Sequence, residues 1–173
     1  MQLASRSTGE LFFGEHDLIV SKTDLKGRIT YANPTFCQLA GYTEAEILGK
    51  PHSVVRHADM PRAVFKLLWD GLNRGQEVFA YVKNKSRTGG YYWVFAHVTP
   101  STDPAKGVVG YHSNRRVPDR VALEQKIIPL YAQVLQAERS QTNGQMAVAA
   151  GFDCLTNAIN AAGKSYEAYI FSH

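Results

Sequence analysis

The sequence predicts an α+β fold in which a five-stranded antiparallel sheet carries helices on one face and is followed by C-terminal helices. Three observations predict it. Strand-type runs occur in two blocks, one near the start and one between Glu77 and Arg116; the stretch between the blocks carries helical spacing and helix breakers; and beyond Pro118 helical spacing takes over entirely. Strands on both sides of a helical middle can share one sheet that the middle segment covers.

Taken in order, Leu18-Ile19-Val20-Ser21-Lys22-Thr23 reads as a strand, Leu25-Lys26-Gly27 as a turn and Arg28-Ile29-Thr30-Tyr31-Ala32 as the hairpin partner. Between Asn33 and Ala58, short helical pieces are broken by Gly41, Gly49 and Pro51 and wrap one side of the sheet. Pro61 suits the first turn of a longer helix, where its missing N–H does no harm. Val64, Phe65, Leu68, Trp69 and Leu72 recur there at helical spacing until Gly75. Two strands, Glu77 to Lys85 and Tyr91 to Pro100, flank a Ser86 to Gly90 turn, and a third runs from about Val108 to Arg116.

After Pro118, Leu123, Ile127, Leu130, Tyr131 and Val134 form one apolar stripe, and Val148, Phe152, Leu155 and Ile159 a second. Gln141-Thr142-Asn143-Gly144 separates them, Gly163 closes the second, and Pro129 should kink or restart the first. The expected organisation is a cap or flexible segment over residues 1–14, a sheet domain over 15–117 and a helical region over 118–173, whose stripes the sheet alone should leave partly exposed for output or self-association unless the helices fold back as a structural lid.

At 173 residues, with 45% hydrophobic and 20% charged residues, the chain has the composition of one globular core with an appendage. Its net charge of +4 is scattered apart from short groups such as Lys83-Asn84-Lys85-Ser86-Arg87 and Arg115-Arg116. That pattern reads as a solvated face and argues against a nucleic-acid partner. Cys37 and Cys154 have neither CxxC spacing nor disulfide-scaffold density, which fits a reducing cytoplasm. No apolar run approaches the roughly 20 residues of a membrane-spanning helix, so no direct membrane insertion is expected. Phosphate-loop, Gly-x-Ser-x-Gly, His-Glu-x-x-His and kinase motifs are all missing, so the chain does not read as an enzyme.

The densest chemistry lies in Val55-Arg56-His57-Ala58-Asp59-Met60-Pro61-Arg62, with Trp69 on the helix that follows. Arg56 offers a fork of donors to a phosphate or carboxylate, His57 titrates near neutrality and Asp59 can cap a helix. Read with Ile29-Thr30-Tyr31-Ala32-Asn33-Pro34, Ala40-Gly41-Tyr42-Thr43-Glu44 and Lys83-Asn84-Lys85-Ser86-Arg87-Thr88-Gly89-Gly90, this segment resembles the PAS module of bacterial aerotaxis and energy-taxis transducers. The resemblance covers roughly residues 15 to 117. It departs at Ala58, where members commonly carry proline.

The resemblance implies a PAS fold and a noncovalently held FAD. The isoalloxazine is apolar on its faces and polar along one edge, so Trp69 suits a wall and the amides of Asn33 and Asn84 suit the edge. Arg56 and His57 suit the pyrophosphate or the ring edge, with Asp59 orienting them or capping the helix. Each has a plainer role: Asn33 and Asn84 as turn residues, Trp69 as core, Arg56 and Asp59 as a pair. His52, His57, His97 and His112 keep a haem ligand open, and a cofactor-free interaction or dimerisation module is the other alternative. Cys37 lies in Phe36-Cys37-Gln38-Leu39, outside any flavin-adduct motif, and reads as a small buried hydrophobe.

Transducers of this family usually carry a membrane segment and a methyl-accepting signalling domain. This chain has neither, so the resemblance implies a cytoplasmic redox or oxygen sensor that reaches a separate chemotaxis transducer. Membrane association would then come only through that partner.

Overall fold

The computed structural model describes residues 4–5 and 9–172, so part of the expected N-terminal cap, residues 1–3 and 6–8, lies outside the described residues. A short antiparallel pair, β1 (Ala4–Ser5) and β2 (Leu11–Phe12), precedes the main sheet. That sheet comprises β3 (Ile19–Thr23), β4 (Ile29–Ala32), β5 (Val78–Lys85), β6 (Tyr91–Asp103) and β7 (Gly107–Arg116), in the order β4-β3-β7-β6-β5 and antiparallel throughout. The β6–β7 hairpin is longer than its sequence suggested. Asp103 Oδ1 accepts from the backbone N–H groups of Ala105 and Lys106 at 2.8 and 3.0 Å, and this local side-chain turn carries both strands past Pro100.

Pairing fixes which side chains share a face. Val82 opposes Val94, Ala80 opposes Ala96 and Val98 opposes Ser113 on one face; Tyr81 opposes Phe95 and Phe79 opposes His97 on the other. Helices α1 (Pro34–Ala40), α2 (Glu44–Ile47), a 3₁₀ turn (His52–Val55) and α3 (Arg62–Asn73) lie over the first face. Phe36, Leu39, Ile47 and Val64 are buried there with Ile19, Ile29 and Val94. Pro61 is not inside α3: it occupies the N-cap position in an extended conformation, one residue earlier than expected.

The C-terminal region contains α4 (Arg120–Ala122), a π-helical turn (Leu123–Ile127), α5 (Ile128–Arg139), α6 (Gly144–Ala161) and α7 (Tyr166–Phe171). Pro129 does not break the first helix. The π-turn precedes it, with the Ile128 N–H reaching back to Leu123 O, and so absorbs the missing donor and the ring's bulk. Sequence reading omitted α7, which Ser165 caps through its side chain.

Of the two arrangements open for these helices, the structure has the lid, although Val148 and Phe152 of the second stripe are only half-buried. Leu123, Ile127, Leu130, Tyr131, Val134, Leu155 and Ile159 belong to the same buried cluster as the sheet residues Tyr81 and Trp93. Of these helices, α5 and α7 therefore fold back over the second face, and α6 packs against α5 and α3. Tyr131 meets Trp93 at 6.2 Å between ring centroids, and Phe171 meets Phe79 edge-on at 4.9 Å.

Candidate functional site

A cavity of about 310 Å³ lies between the first face of the sheet and α3. Small residues on the strands make the room: Val82, Ala96 and Val98 line its floor. Phe65, Leu68, Trp69 and Leu72, one face of α3, form the apolar wall, as the helical spacing predicted. Trp69 stands edge-on to Tyr111 at 5.2 Å and 82°. It also approaches the β3–β4 turn where Gly27 holds φ +73, and a Cβ at Gly27 would lie 3.4 Å from the indole. Glycine there serves the left-handed turn, since a Cβ would make only an ordinary contact with the indole.

Arg56 enters the cavity from the other side. It caps the 3₁₀ turn, forms an isolated backbone bridge with Asn84, stacks over Phe65 at 4.5 Å and donates Nη2 to Met60 O at 2.7 Å. Asn84, 3% exposed, lines the cavity, and its Nδ2 has no hydrogen-bond partner. Arg56, Trp69 and Asn84 are thus brought together on one cavity.

Asn33, His57 and Asp59 do not line it. Asn33 accepts through Oδ1 from the N–H groups of Val20 and Phe36, both at 3.0 Å, and donates Nδ2 to Leu18 O at 2.8 Å, so it caps α1 and joins it to β3. His57 accepts through Nδ1 from the Asp59 N–H at 3.1 Å and packs against the edge of Tyr91; burial, and then the Lys83 charge, hold its pKa below the usual imidazole value. Asp59 is exposed and pairs with Lys83 at 3.1 Å and Arg139 at 3.6 Å. The Lys83 hydrogen bond keeps its carboxyl pKa low.

Asp59 does not cap α3 either. The buried carboxylate of Glu138, on α5, accepts from the Ala63 N–H at 2.8 Å and takes that role from 75 residues away. Gly151 on α6 makes room for it, since a Cβ there would fall 2.6 Å from Glu138 Cγ.

The cavity also holds polar residues that sequence reading missed. Arg115, 4% exposed, shares Nη2 between Ser21 Oγ at 2.9 Å and His52 Nε2 at 2.6 Å, while Ser21 and His52 lie 3.2 Å apart. Burial, reinforced by Arg115, pushes the His52 pKa down to about 3, so the ring is neutral and accepts from the guanidinium. Burial pushes Arg115 itself down to about 10, which leaves it cationic at neutral pH. Arg115 Nη1 and Ser113 Oγ are buried and unpartnered, as is Asn84 Nδ2. Each such orphan costs about 1–3 kcal/mol, and the cost is recovered when a ligand supplies acceptors. The signal that could have found Arg115 is the alternation Tyr111-Ser113-Arg115, which puts all of them on the face of Val98 and Ala96.

Haem finds no free ligand here. His52 is the cavity's histidine, and its Nε2 is engaged by Arg115 and Ser21. Cys37 lies on α1 outside the cavity and packs against the core.

Residues 29–114 match the PAS fold family. The chain carries a PAS domain. Over 97 residues it is 44% identical to the Aerotaxis receptor of Escherichia coli (strain K12), a match covering 56% of this chain and 19% of that protein. Over 109 residues it is 31% identical to the Nitrogen fixation regulatory protein of Klebsiella pneumoniae, covering 62% of this chain and 22% of that protein. The matches thus span about a fifth of each relative. Among solved structures, the dark structure of the blue-light photoreceptor Aureochrome1 LOV superposes with a TM-score of 0.56 at 22% identity, over 64% of this chain and 83% of that one. At that identity the PAS likeness is one of fold. No helix among the described residues is long and apolar enough to cross a membrane.

Proposed function

We propose that this PAS domain is a cytoplasmic redox or oxygen sensor for energy taxis, holding FAD noncovalently and signalling to a methyl-accepting chemotaxis-type transducer in trans. One observation carries the reading: the cavity joins an aromatic and aliphatic wall to polar lining residues, Asn84, Ser113 and Arg115, each with an unpartnered atom, and acidic side chains are missing from its lining. A flat ligand with an acceptor-rich edge satisfies both halves. At about 310 Å³ the space suits one fused ring system, leaving the rest of a dinucleotide to leave past Arg56 and Lys26 at the rim. Likeness to an aerotaxis receptor supports the sensory role.

Asn84 and Trp69 would hold the ring, and Arg56 the phosphates or ring edge. Bound there, flavin would supply a reversible change of charge and protonation. The chain's own part is to carry that change outward. The strand that presents Val82 and Asn84 to the cavity offers its Tyr81 and Phe79 carbonyls to the hydroxyls of Tyr131 and Tyr166, each at 2.9 Å. The C-terminal helices are therefore hydrogen-bonded to the backbone of a cavity-lining strand, which suits signalling rather than catalysis.

The absorption spectrum of freshly purified protein tests the reading: flavin bands support it, a Soret band replaces it with haem, and neither band leaves a cofactor-free interaction module. With flavin present, Arg56→Ala is expected to release more FAD than His57→Ala. Arg56 lines the cavity, and a charge-assisted contact is worth about 1.5–3 kcal/mol, tenfold or more in affinity. Equal retention in both variants, measured as FAD per chain, would remove Arg56 from the site.

A further inference from the structure

The polar end of the cavity asks for more than an acceptor. Arg115 is buried, carries a charge and has no carboxylate beside it in the cavity lining. Its only charged neighbours on that lining, Lys26 and Arg56, are also cations. One guanidinium nitrogen is held by Ser21 and His52, both of which accept, so the fork is fixed in direction; the other, Nη1, has no partner. The guanidinium also lies over the Phe36 ring, 5.3 Å from its centroid. A cation prepared in this way is a half-made ion pair in the wall of the cavity.

We infer that Arg115, braced by His52 and Ser21, receives the carbonyl–imide edge of the ligand and favours its more negative state. The inference rests on the flavin reading and adds to it a residue that sets which oxidation state the site prefers. An oxidised flavin ring is neutral. Taking up two electrons and one proton leaves it with one negative charge, and a fixed cation at the ring edge binds that form more tightly, which raises the midpoint potential.

Apoprotein titrated with FAD gives the affinity, and reduction by xanthine and xanthine oxidase through a viologen mediator against a reference dye gives the potential, xanthine being oxidised to urate as it supplies the electrons. Arg115→Gln should bind oxidised FAD at least tenfold more weakly. It should bind the reduced form a further tenfold more weakly, a fall of about 30 mV for a two-electron couple. Arg115→Lys, which keeps the charge but not the fork, should lose affinity while keeping most of the potential. Should the Arg115 variants not fold, the wild-type protein tests the same contact from the ligand side: FAD analogues with sulfur in place of either ring carbonyl oxygen are poorer acceptors, and at least one should bind more weakly than FAD. Wild-type affinity and potential in a folded Arg115→Gln protein, or equal binding of both thio analogues, overturns the inference and leaves the flavin reading standing. A wild-type protein that takes up no flavin at all overturns both.

Discussion

Acidification should weaken this fold through one half-buried imidazole. His52 keeps its ring neutral because burial and Arg115 hold its pKa near 3, whereas a histidine in the unfolded chain titrates near 6.5. Between those values the unfolded chain binds a proton that the folded one refuses. Stability therefore rises with pH, is complete above about 6.5, and falls progressively as pH drops towards the folded value. From about pH 7.5 to about pH 5 the loss from this group alone is at most about 2 kcal/mol, a large part of a typical 5–15 kcal/mol. Water in the cavity would reduce it, since the surface His52 retains belongs to a residue lining that space. Urea unfolding of flavin-free protein at the two pH values, for wild type and His52→Gln, isolates the effect: glutamine can still accept from Arg115 but does not titrate. His57 and His112 are also held low by burial and tilt stability the same way, but they are common to both proteins and cancel. The wild type should lose up to about 2 kcal/mol more than the variant. Identical acid sensitivity would show that His52 protonates freely in the fold, and the description of a neutral acceptor bracing Arg115 would be wrong.

Asn33→Ala should cost roughly 1–2 kcal/mol of stability through the lost α1 cap, with FAD affinity unchanged, checked by denaturant midpoint and flavin titration. Glu138→Ala removes a buried charged acceptor and strands the Ala63 N–H, so it should cost about 1.5–3 kcal/mol, with Glu138→Gln recovering part of that because an amide oxygen still accepts. Truncation after Arg116 should yield a poorly folded, aggregating chain, seen by light scattering and loss of a cooperative melt, because it bares Tyr81 and Trp93.

The strands and α3 were legible because their periods are long and uninterrupted, and the wall residues Phe65, Leu68 and Trp69 could be read straight from the helical spacing. Asn84 was legible as an amide ending a strand, although its orphaned Nδ2 shows only in three dimensions. Asn33 looked the same in sequence and proved to be a cap, since a polar residue before Pro34 serves a helix start as readily as a ligand. Arg115 was hidden by Arg116: a basic pair reads as solvated surface, and only the β3–β7 register, which sets Ser21 against Ser113 and Ile19 against Arg115, turns one of the two inward. The Glu138 cap and the Gly151 notch that admits it depend on α5 and α6 folding back on α3, which no local pattern encodes.

The cavity and the docked helices follow from one feature of β5 and β6. Their first face carries Ala80, Val82, Val94, Ala96 and Val98, too small to fill the space under α3; their second carries Phe79, Tyr81, Trp93 and Phe95, too large and apolar to leave in water. Small residues on one side create room for a ligand, and the aromatics on the other demand a cover, which α5 and α7 provide. Freeing the helices would expose several aromatic rings together, at about 25 cal/mol for each Å² of apolar surface, a total well beyond the 1–3 kcal/mol typical of coupling between two sites. A change at Asn84 of that size can tilt or slide helices that stay docked, through the Tyr131 and Tyr166 hydroxyls on the β5 carbonyls, but it cannot release them. If the domain is the sensor proposed above, its output would be a shift between two packings of the covered sheet, and a partner would read the outer surface of the helices rather than the residues buried beneath them.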